Sequence, residues 1–529
     1  MDLYGFDRGQ SEAGRIQSPL MARAATADVA CELLVPEYKP EIRRVLSVST
    51  TLTPPAHYIS GGHAEFAGNM EFLLCYEGAD GSIVGISMPQ DYEFDLVMDN
   101  DPAFAAEDLT AYADVVCESA TARVTAPRRV ALRARLNADA VVLASRAMDV
   151  EMTSDSGGGS GGGETDIRRR ESSVRCAQIL RRSTDAIEYS DLITPEDGGD
   201  GELRVITCRA RPFVSESAVM PEGVAVRGNI CISLLYCRMA EGARPILATV
   251  RIPFSETVSF DSVPPRGAFC RAWGSVGATT AEVTDNGGVD IGVRLILTAE
   301  LLLPCDCRYT ADVYSLANET SLTRRDIYPA LPLRSVNSNV TISGAAELAA
   351  LGLDSGIRIV WADAEPLPGG TREGRVLSGD IRVRMLADNG AEVRAVETLI
   401  PYKYTAEQTS GDGAAVDIAY GGGYSECDIS CPTCRARVDG ERIAIDCELA
   451  LAARYCGRGE IDPVCEVRIG DPRPAHEGDL VVCYPAAEDT LWSIGRRYGR
   501  DAASIAEGNN IPMPADPSAD PIGVKFLLI

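Results

Sequence analysis

Three stretches of this chain repeat the same landmarks in the same order, and that repetition constrains the fold more than any other feature. Each opens with a glycine and a polar residue that lead into an apolar run: Gly68-Asn69, Gly228-Asn229 and Gly379-Asp380. An extended run broken by proline follows, at Pro89, Pro253 and Pro401. A third landmark is an alternating triplet, Ala122-Arg123-Val124, Ala281-Glu282-Val283 and Ala436-Arg437-Val438. After a turn it leads into VALRARL from Val130, VDIGVRL from Val289 and IAIDCEL from Ile443. A fourth lies upstream: RVLSV around Val45, RVITC around Val205 and a weaker RIVWA around Ile359.

The last landmark alternates strictly. In the third copy Cys434, Ala436, Val438, Ile443, Ile445, Cys447 and Leu449 fall on one face. Arg435, Arg437, Arg442, Asp446 and Glu448 fall on the other. A period of two with one apolar face predicts an antiparallel strand pair, buried on one side. The second copy repeats it, with Val289, Ile291, Val293 and Leu295 inward. A proline donates no ladder hydrogen bond, so Pro89, Pro253 and Pro401 belong at an edge or a bulge. The fold class is mainly β: tandem sandwich-like units, then a small βααβ module.

Composition shifts set the expected boundaries. They are 25–150 for the first β domain, 167–305 for the second, 306–470 for the third and 476–529 for the terminal module. Residues 151–166, EMTSDSGGGSGGGETD, read as a flexible acidic Gly/Ser linker, natural or engineered. A second junction is expected near Pro304-Cys305-Asp306-Cys307, and a third over 470–474. The third unit carries an insertion, ADVYSLANETSLTRRDIYPALPLRSVNS, expected to be partly helical.

The terminal module reads strand, helix, helix, strand. Leu480 to Tyr484 is strand-like, and Asp489 and Thr490 offer oxygens to the free N–H groups of a helix start. Leu491, Ile494 and Tyr498 share one helix face, and Gly499 is the expected left-handed stop. Asp501 is expected to cap a second helix through Ile505, and Phe526 to Ile529 to pair back as a strand.

Several function classes are disfavoured. The 529 residues carry a net charge of −27, with no basic stripe for phosphates, so no nucleic-acid partner is expected. The start, MDLYGFDRGQSEAGRIQS, has no apolar export segment, and no long apolar run predicts a membrane span. Among three histidines, His57 and His63 flank an Ile-Ser-Gly-Gly turn and His476 sits in the last linker. There is no HExxH, no phosphate-binding glycine loop and no nucleophile elbow. No catalytic residue, metal or cofactor is expected.

Seventeen cysteines are spread without a disulfide framework. Cys427, Cys431 and Cys434, with Cys447, Cys456 and Cys465 downstream, invite a zinc reading. If Val438 pairs with Ile443, however, the register sets Cys434 opposite Cys447 on the buried face. Packed thiols, a zinc site and a later disulfide remain alternatives at this point.

The segment DTLWSIGRRYG (from Asp489), the Asn509-Asn510-Ile511 turn and Gly523 before the final strand resemble a LysM domain, over about a tenth of the chain. Such domains bind N-acetylglucosamine polymers, including peptidoglycan, between the loop before the first helix and the loop after the second. The resemblance implies a groove of Asp489, Thr490, Leu491, Asn510, Ile511 and Pro512 that contacts a protein or a glycan. Glu488 replaces the family's usual glycine, the 512–523 loop is longer and proline-rich, and the family's final proline is absent.

The stretch CELLVPEYKPEIRRVLSVSTTL (from Cys31), the glycine–strand–proline pattern (clearest at Ile252-Pro253-Phe254-Ser255) and the domain order resemble the SPOCS-domain proteins of spore-forming Firmicutes. The resemblance implies three SPOCS units and a LysM end. It also implies a non-enzymatic role in spore-coat assembly, in the mother-cell cytoplasm at the forespore surface. The implied partner is the coat-scaffold ATPase or another coat protein. Direct binding of peptidoglycan or cortex glycan is the alternative.

Overall fold

A computed structural model describes residues 15–60, 62–98, 109–154, 166–194, 201–239, 244–367, 371–373, 376–405, 424–474, 481–512, 514, 516–518, 520 and 522–529. The chain is mainly β. The first unit comprises β1 (Arg15–Leu34), β2 (Ile42–Leu52), β3 (Ala56–Ser60), β4 (His63–Gly78), β5 (Ile83–Val97), β6 (Leu109–Ala126) and β7 (Arg129–Ala147). A short β8 (Glu151–Ser154) follows. The second unit comprises β9 (Ile167–Ile193), β10 (Leu203–Met220), β11 (Gly223–Arg238), β12 (Ile246–Ser259), β13 (Phe269–Val283) and β14 (Val289–Ser315). After β15 (Asn318–Arg324), the third comprises β16 (Ala330–Glu347), β17 (Arg358–Pro366), β18 (Thr371–Glu373), β19 (Val376–Asp388), β20 (Val393–Thr405), β21 (Tyr424–Asp439) and β22 (Arg442–Arg458). Then come β23 (Val464–Pro472), β24 (Val482–Cys483), α1 (Leu491–Tyr498), α2 (Ala502–Gly508) and β25 (Leu527–Leu528).

The three units share one wiring. The first strand and the last two form one sheet: β1-β7-β6, β9-β14-β13 and β16-β22-β21. The remaining strands form another: β2-β4-β5 with β3, β10-β11-β12 and β17-β19-β20. In the third unit β18 joins the two. Each pair of sheets encloses its own apolar core. Leu132 and Leu136 meet Phe72 and Leu74 in the first, Ile291 and Leu295 meet Ile232 and Leu234 in the second, and Ile445 and Leu449 meet Ile381 and Val383 in the third. The alternating hairpins take the expected register, Val438 opposite Ile443 and Cys434 opposite Cys447.

The proline and glycine landmarks have one physical explanation. Pro89, Pro253 and Pro401 lie on β5, β12 and β20, each bonded to a single neighbour, so the missing donor faces a free edge. Each of these strands lays an aromatic ring on the glycine opposite: Tyr92 on Gly68, Phe254 on Gly228 and Tyr402 on Gly379. A Cβ at Gly228 would stand 2.1 Å from the Phe213 carbonyl oxygen and 2.6 Å from the Phe254 ring. At Gly379 the nearest atom would be the Tyr402 ring at 3.0 Å, which can turn aside. Gly228→Ala is therefore expected to cost about 1–3 kcal/mol and Gly379→Ala less, in urea midpoints followed by circular dichroism. Equal costs would contradict this account of the landmark.

The fourth landmark is the joint between units. Each of β2, β10 and β17 carries a bulge at the same place, and the extra residues are Leu46, Ile206 and Val360. All three are buried in a single core with Cys75, Ile83, Leu235, Cys237, Trp361 and Leu386, so every unit contributes to it. In the first two units the arginine two before the bulged residue reaches across a boundary. The Arg44 guanidinium donates to the Val393 carbonyl at 2.8 Å, and that of Arg204 to the Ile83 carbonyl at 3.1 Å. Arg358, third in the series, pairs with Asp388 at 3.6 Å. The first unit thus touches the third as well as the second, and the three close on one another. The approach is tight: a Cβ at Gly85 would fall 1.7 Å from the Ile206 carbonyl oxygen.

The β9–β14 ribbon runs on past its sandwich, paired from Ile193–Val289 to Ile167–Ser315. Its far half meets the ends of the other units in a second shared core of Ile16, Met148, Cys176, Cys307, Ile327 and Ile461. Three expectations change here. Residues 304–307 are no break, because β14 passes through them. The insertion from Ala311 to Ser338 is extended, formed by the end of β14, β15 and the start of β16, with no helix. Glu151–Ser154, expected within the linker, form β8, parallel to Glu466–Ile469 of β23. Residues 155–165 and His476 lie outside the described residues.

Candidate binding surface of the terminal module

The module's elements follow in the order strand, helix, helix, strand. β24 pairs with β25 through Val482–Leu528 and Cys483–Leu527. Cys483, Leu491, Ile494, Ala502, Ile505, Ala506 and Leu527 form its core, with Tyr498 packed against them. Thr490 caps α1: its hydroxyl accepts the Ser493 N–H at 3.1 Å, while Ser493 Oγ accepts the Thr490 N–H at 3.0 Å. Gly499 ends the helix in the left-handed region, at φ 65°. Asp501 stands at the start of α2, but its side chain does not cap it. The carboxylate instead accepts from Arg168 Nε of β9 at 2.6 Å.

That ion pair belongs to a docking contact. Asp312, near the end of β14, is almost fully buried and receives the Trp492 indole N–H at 2.8 Å, Arg496 at 3.2 Å and Arg324 at 3.1 Å. The Trp492 ring stands edge-on to Tyr314, centroids 4.8 Å apart. The Tyr314 hydroxyl donates to the Arg500 carbonyl at 2.9 Å, and burial pushes that phenol up to about 12. One flank of α1 is thereby committed to the ribbon of the second unit. Trp492 is the wedge between module and body.

The six residues of the expected groove divide into two sets. Asp489, Thr490 and Leu491 point inward. The Asp489 carboxylate accepts the Ala486 N–H at 3.0 Å and Arg497 at 2.8 Å, and these two hold it below the usual carboxylate range. Thr490 is spent on the cap, and Leu491 is 1% exposed. Asn510 and Pro512 are exposed and Ile511 is half-buried; Asn510 sits at φ 51°, which an asparagine tolerates in a turn. The loop that follows lies against the α1 start, where the Trp492 N–H donates to the Pro517 carbonyl at 3.0 Å and the Ile522 N–H to the Asp489 carbonyl at 3.1 Å.

Residue patterns beyond the expected groove supply a second surface. Val482, Tyr484, Phe526 and Leu528 are all exposed on the β24–β25 side of the module, Tyr484 at 75% and Phe526 at 55%. Alternation in VVCY and FLL, with Cys483 and Leu527 inward, is the sequence signal for it.

Elsewhere, His63 Nδ1 lies 2.9 Å from Asp95, both exposed, and His57 faces Phe66 across the β3–β4 hairpin. Cys434 and Cys447 stand 3.5 Å apart, sulfur to sulfur. Among the described residues the one group of three or more potential metal ligands within reach of one another is Cys176, Cys305 and Cys307. No helix among them is long and apolar enough to cross a membrane. No family model matches the sequence, and a comparison with curated proteins gave no match.

Proposed function

We propose that the chain is a non-enzymatic scaffold or adaptor in spore-coat assembly, built of three SPOCS-like units and a LysM-like end. Its terminal module would grip a coat protein, such as the coat-scaffold ATPase, at the forespore surface from the mother-cell cytoplasm. The observation that carries this reading is the contrast between the module's two surfaces. The polar groups of the expected groove, Asp489 and Thr490, are already satisfied by Arg497, Ala486 and Ser493. A sugar recognised by hydrogen bonds finds few open partners there. Tyr484, Phe526, Val482 and Leu528 present apolar area to solvent, the composition that protein contacts favour. Interlocked β units supply the stiffness a scaffold needs, and their edge strands offer main-chain groups for lateral contacts. The second reading, direct binding of peptidoglycan or cortex glycan, is favoured by the exposed Asn510 and Pro512 turn.

One experiment separates the readings. The full chain and its Tyr484→Ser/Phe526→Ser and Asn510→Ala variants are tested against a mother-cell lysate and against insoluble peptidoglycan. Capture of a coat protein, lost in the double variant, is the expected result. Sedimentation with peptidoglycan, lost in Asn510→Ala, would replace the first reading by the second.

A further inference from the structure

Where the β9–β14 ribbon leaves its sandwich, three cysteines meet. Cys176 of β9 is directly opposite Cys305 of β14, and Cys307 follows two residues on, so all three project from one face. The sulfurs form a nearly equilateral triangle: 3.5 Å between Cys176 and Cys305, 3.1 Å between Cys176 and Cys307, and 3.4 Å between Cys305 and Cys307. Cys176 and Cys307 are 1% and 4% exposed, and Cys305 is half-buried, which leaves one way in. The buried apolar side chains clustered with them include Ile16, Met148, Ile327 and Ile461, from the other two units and the segments beside them. Neither a carboxylate nor an imidazole is among the candidate ligands.

We propose that Cys176, Cys305 and Cys307 form a three-thiolate site for a soft metal ion, with monovalent copper the favoured occupant. Soft sulfur ligands without oxygen or imidazole select copper(I) or zinc. Structural zinc takes four ligands, and among the described residues this group supplies three. The one further soft atom in the cluster is the Met148 thioether. On binding, one copper(I) ion joins three sulfurs and three S–H protons leave to solvent. The triangle is slightly small for an ion in its plane at about 2.3 Å from each sulfur, the distance typical of zinc thiolates. Small outward turns of all three side chains open it, because Cys176 and Cys307, at 3.1 Å, must part as well as Cys305. The ion would clamp β9 to β14 within the ribbon, at the core where segments of the other units pack against it.

The test uses the full chain, reduced and kept anaerobic. It is titrated with copper(I) against a chromophoric copper(I) chelator, and separately with zinc(II) against a zinc chelator. One retained equivalent of copper, with a near-ultraviolet thiolate-to-copper band, is the expected result. Cys305→Ser should lose both the equivalent and the band, whereas Cys447→Ser, which alters the other close thiol pair, should keep them. Circular dichroism checks that each variant is folded, and Cys307→Ser serves as the second variant. Retention of copper by folded Cys305→Ser and Cys307→Ser would overturn the proposal. So would retention of zinc without copper, or a Cys176–Cys305 disulfide in the reduced, anaerobic protein. These readouts are independent of the scaffold reading.

Discussion

Replacing Asp363 by alanine should destabilise the chain by about 3–5 kcal/mol, the cost of leaving a buried charge without its partner. Asp363 lies on β17, its side chain 6% exposed, and receives Arg209 and Arg211 from β10 of the second unit, the latter at 2.7 Å. Arg209 is itself 8% exposed. Burial draws its guanidinium down to about 10 against the opposing pull of Asp363, so the ion pair is what keeps a charge tolerable there. Arg211 also donates to the Ala364 and Cys431 carbonyls, at 2.6 and 2.9 Å, and so ties the second unit to both sheets of the third. Asp363→Asn keeps an acceptor and should lose less. Adding Arg209→Met to Asp363→Ala should recover part of the loss, because the more buried of the two stranded cations is gone. Urea unfolding of the parent, Asp363→Ala, Arg209→Met and the double variant completes the cycle. A loss below about 1 kcal/mol for Asp363→Ala, the range of exposed pairs, would mean that this boundary is open to water.

The second large effect is expected at the core shared by all three units. Trp361 follows the bulged Val360 and is 4% exposed among Leu46, Ile206, Leu235 and Leu386. Trp361→Ala should cost about 3–5 kcal/mol through the cavity it leaves. It should also change the shape of unfolding. Each unit keeps its own core, so weakening the shared one lets the units unfold separately, and one transition should broaden or divide. Trp361→Phe is a useful control. Among the described residues the Trp361 indole N–H has no hydrogen-bond partner, so phenylalanine removes a buried donor while keeping a ring, and should cost much less. A single sharp transition in folded Trp361→Ala would show that the shared core does not couple the units.

The division between what residue patterns foretold and what they did not is physical. Hairpin register follows from alternation and turn position, so the Cys434–Cys447 pairing was readable before any coordinate. The edge positions of Pro89, Pro253 and Pro401 follow equally from a missing donor. The fourth landmark was visible as a repeat, but its role was not: Leu46, Ile206 and Val360 reach one another only after three domains have closed. A junction was expected near Pro304, and a proline inside a central strand would be costly. The partner β13 ends opposite Leu302, however, so beyond that point β14 is bonded to β9 alone and tolerates the proline. Asp501 found Arg168, distant along the chain, in place of the N–H groups beside it, a choice no local pattern encodes. The thiol triangle was half visible as Cys305-Asp306-Cys307; its third corner, Cys176, comes from register over a ribbon that had been cut at that point.

The proposal as a whole rests on the terminal module directing a rigid three-unit body to its place. The most direct measurement is the position of a fluorescently tagged chain in sporulating cells, compared with a chain ending at Pro474 and with the full-length Tyr484→Ser/Phe526→Ser variant. The full chain should collect at the forespore surface, and the other two should stay diffuse in the mother cell. Normal placement of the shortened chain would contradict the account.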